Sequence, residues 1–545
     1  MCIFPELSQL KIFEVQRISF LGLSVLSGLL LFFAWNPLSF TFCIFFAWVP
    51  LLFLANKIQH KKSFIGYAFL ALIIWNACTT WWIWNSTDIG SVFAIAFNST
   101  IMLMPWYGFF ITKKKQGNFV GYFALIAFWL LFEFIHLNWE LSFPWLTLGN
   151  AFADKVNWVQ WYEFTGVAGG SLWVLLVNIV AYELFKNWKS KNSKWSIKVI
   201  VVIVCIISVP FAISNFLLYR ISKEQNFDSN VVIVQPNIDP YQKFTYNTIA
   251  KQIEKLIALS ENKIDSQTKW VIWPETALSA QIGVNDISTA LIYKPVFDFV
   301  NRYPQITLLT GIETFKLMNE ATPYTQKTQD GLFYESYNAA VTINNKGVSP
   351  LYIKSKLVPG VEILPSFLKI LAPLFEQFGG TTGGYAKDNE SKVFNTENNP
   401  YVVAPVICFE SVYGAYVTSY IKKGANIIAI ITNDGWWGNT AGHKQHLAYA
   451  KLRAIETRRW VVRSANTGIS AVIDNTGKMV STKEWNIADA IKYNVSPANT
   501  ITFYVQYGDY LYKIFSVFGL LMVGWNFITI CKKCRKKAEG NKKKV

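Results

Sequence analysis

Eight apolar runs dominate this sequence, each near the roughly 20 residues that cross a bilayer as a helix. They lie near 18–35, 38–55, 64–84, 90–112, 118–137, 165–185, 197–219 and 508–531. In hydrocarbon every backbone N–H and C=O needs a partner within the chain, so runs of this kind are read as membrane-spanning helices. Asn36-Pro37-Leu38-Ser39 between the first two is a tight turn, as expected of a helical hairpin. Composition agrees: charged residues are 16% of the chain, against roughly 25% in a soluble protein.

A formal net charge of +17 raises the possibility of nucleic-acid binding. The distribution of the charge argues otherwise. Basic residues gather at Lys57, Lys61 and Lys62, at Lys113 to Lys115, at Lys186, Lys189, Lys191, Lys194 and Lys198, and in the tail from Lys532 to Lys544. Each group abuts an apolar run, and together they outnumber the net charge. With the N-terminus inside, all four fall on the cytoplasmic side, while the 139–164 loop on the other side carries little beyond Glu140, Asp154, Lys155 and Glu163. No small-residue cleavage site follows the first run, which separates it from a signal peptide. The expected organisation is a transmembrane region of seven helices over 1–221, an extracytoplasmic domain over 222–507, an eighth helix over 508–531 and a basic cytoplasmic tail over 532–545.

The 222–507 stretch has charges every few positions, each costing about 2.5–3.5 kcal/mol at the bilayer midplane, so it is globular and outside the lipid. Short β-branched runs, Val231–Val234, Trp270–Trp273, Ile306–Thr310, Ala339–Ile343, Val402–Ile407, Ile427–Thr432 and Ala471–Ile473, predict strands. Ile249, Ile253, Leu256 and Ile257 share one helix face between the first two. The expected class is α/β or a layered α+β sandwich.

Of the seven cysteines, Cys408 alone falls in this domain. In an oxidising compartment a solitary cysteine is either buried and inert or kept for reaction. Cys408 ends the apolar run Val402–Ile407 and precedes the polar Phe409-Glu410-Ser411, a strand-to-helix position suited to a nucleophile. A thiol with an ordinary pKa of about 8.5 needs a base or a cation beside it. His443 and His446 are the domain's histidines, spaced as a Cys–His partner or a metal pair would allow, but no third ligand accompanies them. Neither a metal nor a cofactor is called for. Glu275, after the apolar Trp270–Trp273 and Pro274, is a second candidate base whose pKa desolvation is expected to raise. Lys354 follows another short strand-like run, Leu351-Tyr352-Ile353.

Trp-Pro-Glu275-Thr-Ala, Tyr-Ile-Lys354-Ser-Lys-Leu-Val-Pro-Gly-Val-Glu362 and Ile-Cys408-Phe409-Glu410, in that order, resemble the Glu–Lys–Cys signature of the nitrilase superfamily. Together with eight spans, seven before the domain and one after, the chain is similar to the membrane-anchored apolipoprotein N-acyltransferase family of the bacterial inner membrane. Further matching segments are Gln235-Pro-Asn237, Tyr337-Asn338, Asn433-Asp434-Gly-Trp436-Trp437-Gly438 and Arg463-Ser-Ala-Asn466-Thr-Gly468. The resemblance implies an αββα sandwich in which Glu275 is the general base, Lys354 faces the oxyanion and Cys408 forms a thioester. It also implies supporting roles for Glu362, Glu410, Asn338, Trp436, Phe244 and Phe409. Phe244 and Phe409 stand where relatives more often have Trp and Tyr, and Gly360-Val361-Glu362 departs from the more usual loop order.

The implied reaction moves an acyl chain from a phospholipid, in the first place the sn-1 chain of phosphatidylethanolamine, through Cys408 to the free amine of a lipoprotein's diacylglyceryl-cysteine. The alternatives are a membrane-tethered amidase acting on a small C–N substrate and a non-enzymatic protein on a degenerate fold. The apolar stretch Ile363–Gly379, followed by the glycine-rich 379–384, is expected either to dip into the membrane or lid the acyl pocket, or to pack as a core helix. Glu133 and His136 are expected either to line a lipid entry path or to sit solvated at the interface.

Overall fold

The structure is a computed structural model. It describes residues 4–187, 193–221, 227, 229–364, 384–397 and 399–542. The proposed arm and hinge of 363–384 fall almost wholly outside the described residues.

Among those residues, six helices are long and apolar enough to cross a membrane: Lys61–Asn85, Asp88–Gln116, Asn118–Leu137, Tyr162–Asn187, Ile197–Ile221 and Tyr510–Thr529. The first two expected runs form shorter apolar helices, Arg17–Phe33 and Thr41–Lys57. Proline explains the shape of two runs. Pro50 occupies the first turn of the helix Val49–Lys57, where its missing N–H loses no bond, so the run 38–55 divides into a 3-10 turn, Thr41–Phe45, and that helix. Pro105 has no N–H to donate to Ile101, and the run 90–112 breaks at Met102 into Asp88–Ile101 and Leu103–Gln116.

The remaining chain builds two sheets. The first contains β1 (Asn230–Gln235), β2 (Thr268–Ile272), β3 (Leu278–Gly283), β4 (Thr307–Met318), β5 (Gln326–Lys327), β6 (Phe333–Asn344), β7 (Gly347–Val348), β8 (Tyr352–Ile353) and β14 (Asp489–Asn494). Its main order is β14-β1-β2-β4-β6-β5, with β1, β2 and β4 parallel. The second, in the order β13-β12-β11-β10-β9, contains β9 (Val403–Ile407), β10 (Ile427–Thr432), β11 (Trp460–Ala465), β12 (Ser470–Ile473) and β13 (Met479–Lys483).

Side chains alternate across a strand, and the packing follows that period. Val231 and Ile233 of β1 face the second sheet in a shared core with Val406, Ile428 and Val461. Val232 and Val234 point the other way, onto Ile249, Ile253 and Leu256 of the helix Tyr246–Glu261 and onto Val296 and Phe299 of the helix Lys294–Arg302. Beyond the second sheet lie the helices Gly414–Lys422 and Ala441–Thr457, whose Val417, Tyr420, Leu447 and Ala450 complete the core. The layers are helix, sheet, sheet, helix, as the sequence resemblance implied.

The helix Ala441–Thr457 also joins the two halves of the molecule, and is therefore buried on nearly all sides. Its Ala448, Tyr449 and Leu452 belong to the apolar cluster that contains Trp48, Trp75 and Trp129 of the helical region. Gln445 accepts from Trp145 Nε1 at 2.6 Å and donates to the carbonyl of Asn36 at 2.8 Å. Lys451 pairs with Asp154 at 2.9 Å, and Arg458 with Glu163 at 2.5 Å.

Candidate active site

Three strand ends meet where the sheets approach the helical region. Glu275 follows β2, Lys354 follows β8 and Cys408 follows β9. Lys354 Nζ lies 2.9 Å from Glu275 Oε1 and 2.7 Å from Glu362 Oε1, and the lysine is 1% exposed. Asn338, on β6, donates to the same two carboxylates at 2.8 Å and 3.1 Å. The backbone N–H of Asn433 donates to the other Glu275 oxygen at 3.1 Å, and that of Val358 to Glu362 Oε2 at 2.8 Å. Each carboxylate is thus fixed at both oxygens.

The backbone is shaped to bring these ends together. Gly311 of β4 passes directly beneath the Glu275 turn, where a Cβ would come within 2.6 Å of Glu275 Cα, so no larger residue fits without moving it. Cys408 has φ +49, the left-handed region that side chains rarely adopt. Strain of this kind is characteristic of nucleophiles held at a sharp strand-to-helix turn. Glu410 fastens that turn to the lysine segment. Its carboxylate accepts from Ile407 N at 2.8 Å, Ser355 N at 2.7 Å and the Tyr352 hydroxyl at 2.5 Å.

The electrostatics assign protonation states. Burial raises the Cys408 thiol and Glu275 raises it further, outweighing the opposite pull of Lys354, so the resting sulfur carries its proton. Burial alone would also raise Glu275, as the sequence suggested. That expectation is corrected: the Lys354 ammonium, the Asn338 amide and the Lys243 ammonium together hold the carboxyl below its usual range. Lys354 is held well above its ordinary value, because Glu275, Glu362 and the cysteine outweigh the effect of burial. The site therefore rests as a carboxylate, an ammonium and a neutral thiol.

Four further groups underpin this arrangement: Lys243, Asp434 and Arg463, to which sequence reasoning assigned no role, and His446, which it weighed only as a base or metal ligand. Lys243 is fully buried and donates to the Glu275 carbonyl at 2.6 Å and to Thr276 Oγ1 at 2.7 Å. Beneath Cys408, Asp434 takes Arg463 at 2.6 Å and His446 Nδ1 at 3.0 Å, and these partners hold it below the usual carboxylate range despite burial. His446 Nε2 contacts the Cys408 carbonyl oxygen at 3.1 Å and Ser411 Oγ at 2.9 Å. That histidine reaches the cysteine's backbone as a support, which differs from a Cys–His pair. The Asn-Asp434-Gly and Arg463-Ser-Ala-Asn segments were visible as matches, but their roles require the tertiary contact.

Cys408 and Phe409 open onto a cavity of about 380 Å³ whose walls include Phe93, Phe97, Phe143, Trp145 and Trp437. Trp436 lies outside this lining and packs edge-on against Tyr241 at 5.4 Å. Phe244 is 42% exposed on the preceding loop and does not join the cluster around Glu275. His136 lines the cavity, bonded to the Phe143 carbonyl at 2.9 Å, whereas Glu133 is held by Trp129, Leu148 and Tyr512 at 2.9 Å each. Both residues are buried, which corrects the expectation that they sit solvated at the interface, and of the pair only His136 lines this cavity.

Residues 230–503 match the carbon-nitrogen hydrolase family, and residues 27–180 match the apolipoprotein N-acyltransferase N-terminal domain. The chain belongs to the carbon-nitrogen hydrolase family. Its resemblance within that family is to enzymes carrying the apolipoprotein N-acyltransferase N-terminal domain. It is 27% identical over 468 residues to the apolipoprotein N-acyltransferase of Chlorobaculum tepidum, covering 83% of this chain and 86% of the relative. To that of Pasteurella multocida it is 25% identical over 521 residues, covering 92% and 94%. A solved amidase of the nitrilase superfamily from Nesterenkonia is 12% identical and covers 52% of this chain and 95% of its own, with a TM-score of 0.35.

Proposed function

We propose that this protein transfers a fatty acyl chain from a phospholipid to the N-terminal amine of the diacylglyceryl-cysteine of lipoproteins, through a thioester on Cys408. The observation that carries the reading is that Cys408 stands beside the Glu275–Lys354 pair and at the same time forms the wall of an aromatic, apolar cavity of about 380 Å³. An acyl chain suits such a chamber. The lining is mainly apolar, with Ser86, Thr87, Asn98 and His136 as its polar members, so it suits a small polar amide less well and the amidase reading is not favoured. The relatives' shared activity and the match over residues 27–180 support the same conclusion.

In this reading Glu275 is the general base and takes the Cys408 proton as sulfur attacks the ester carbonyl. Lys354 faces the oxyanion, Asn338 and Glu362 hold that pair in place, and Glu410 orients the cysteine turn. Collapse breaks the ester C–O bond, Glu275 returns the proton to the departing lysophospholipid oxygen, and the thioester remains. The acceptor amine then attacks the thioester, loses a proton to Glu275 and expels the sulfur, which recovers that proton. Phe409 contributes apolar contact to the chamber in this scheme, whereas Phe244 and Trp436 are not part of its lining. The donor is phosphatidylethanolamine.

The same reading places eight spans in the bacterial inner membrane, with 222–507 on the extracytoplasmic side between the seventh and eighth and both termini in the cytoplasm. The basic clusters at the span ends support that orientation. Mass spectrometry of the purified chain after incubation with phosphatidylethanolamine micelles should find a fatty-acyl adduct on the Cys408 peptide. A diacylated lipopeptide should discharge it. An adduct that persists in Cys408→Ala, or one the lipopeptide cannot remove, refutes the proposal.

A further inference from the structure

A second cavity, of about 460 Å³, lies between the outer loop 137–142 of the helical region and the lysine segment of the sandwich. It shares Pro359 and Leu364 with the chamber at Cys408, so the two spaces lie against the same stretch of wall. Their linings differ in kind. Lys356, Lys387, Ser355, Thr325, Asn138 and Glu140 give this one a polar and charged surface.

The two lysines make no ion pair or side-chain hydrogen bond among the described residues. Nearby Lys392 and Lys423 do find carboxylates, Asp388 at 3.1 Å and Glu390 at 3.2 Å. Lys356 Nζ is instead carried over the rings of Tyr413 and Tyr416, 5.3 Å and 5.4 Å from their centroids. Burial lowers its proton affinity, and the charge of Lys387 lowers it further. The two ammonium groups repel one another beside the cavity, and an anion bound by both would relieve that repulsion.

We propose that this cavity is the headgroup site of the acyl donor, in which Lys356 and Lys387 bind the phosphodiester of a glycerophospholipid. The inference rests on the acyl-transfer reading above and deepens it. A glycerophospholipid seated across Pro359 and Leu364 has its acyl chain in the aromatic chamber and its headgroup in the charged one, with the ester near Cys408. Two ammonium groups suit the two free oxygens of a phosphodiester.

The test uses the full chain in detergent and follows Cys408 acylation by mass spectrometry. Lys356→Gln and Lys387→Gln should each slow loading from phosphatidylethanolamine about tenfold, and Lys387→Arg should restore it. Loading from p-nitrophenyl palmitate, which has no headgroup, should change by no more than about twofold. Equal losses on both donors would overturn the assignment, as would slowing confined to discharge onto the lipopeptide, which would give the pocket to the acceptor. Inorganic phosphate that blocks phosphatidylethanolamine loading at the concentration at which it occupies the pocket would assign the site to free phosphate instead. In Cys408→Ala, where no transfer occurs, binding of lysophosphatidylethanolamine should still weaken in the double Gln variant. The headgroup site and the acyl chemistry can therefore fail separately.

Discussion

The conformation of Cys408 and the pairing of Glu275 both lead to measurable consequences. A left-handed backbone at a residue with a Cβ costs about 1 kcal/mol that glycine avoids. Cys408 has φ +49, so Cys408→Gly should unfold at a higher denaturant midpoint than Cys408→Ala, although neither can be acylated. The order would reverse if the turn relaxed on losing the sulfur. Asn338 bears on the pH profile. It helps to hold Glu275 below the usual carboxylate range; in the proposed mechanism Glu275 is the base and must be ionised, so acylation should continue below pH of about 4.3. In Asn338→Ala the Glu275 pKa rises, and the acid limb of the acylation profile should move to higher pH as the rate falls about tenfold. An unmoved limb would mean that Asn338 acts through Glu362 alone. Glu275, Lys354 and Cys408 were legible as polar groups at strand ends, whereas Glu362, Glu410 and Asn338 were marked only by the family resemblance. Lys243 lay one position from the aromatic residue that drew notice, and nothing local marks it as the lysine that turns inward.

Strands with apolar runs were readable, and strands with polar residues on a buried face were not. Val231–Val234 and Ile427–Thr432 anticipated β1 and β10 closely. The strand β11, Trp460–Ala465, was missed although all six of its residues are buried, because Arg463 and Ser464 interrupt its apolar pattern. That arginine is buried for a reason the pattern cannot carry. It donates to Asp434 at 2.6 Å and to the Ile469 carbonyl at 2.6 Å, tying β11 to the loop under Cys408. Arg463→Met leaves Asp434 as a buried carboxylate without its cation, and should cost about 3–5 kcal/mol of stability, read as a lower melting temperature. The sign with pH follows from the depressed Asp434 value. Its stabilising effect is complete above the ordinary carboxylate value of about 3.9 and is lost only as pH falls through the lower folded value. The difference between wild type and variant should therefore persist at pH 5, and a difference that has vanished there would show that the pair contributes nothing.

The aromatic chamber belongs to neither half of the chain alone. Ile89, Phe93, Ala94 and Phe97 come from the helix Asp88–Ile101, and Cys408, Phe409 and Trp437 come from the sandwich. Sequence reading found the helices and the candidate nucleophile separately, because no local pattern records which helix face meets a cysteine more than 300 residues later in the chain. The docking that joins them combines a shared apolar cluster with specific polar contacts, Gln445 being bonded to Trp145 and to the Asn36 carbonyl, and Arg458 to Glu163. If the chamber receives the acyl chain, its volume is a selector of chain length, and a small residue in its wall is the place to change it. Ala94→Phe fills space that a long chain would occupy, and overpacking of this kind costs about 1–3 kcal/mol. Short chains can be accommodated beside the new ring. Loading of Cys408 from a dipalmitoyl donor should therefore fall about tenfold relative to a dilauroyl donor. Mixtures of the two, resolved as adducts of different mass on the same peptide, measure that ratio directly. A ratio unchanged from wild type would show that the chain lies elsewhere, and would leave the aromatic chamber as packing between the two halves.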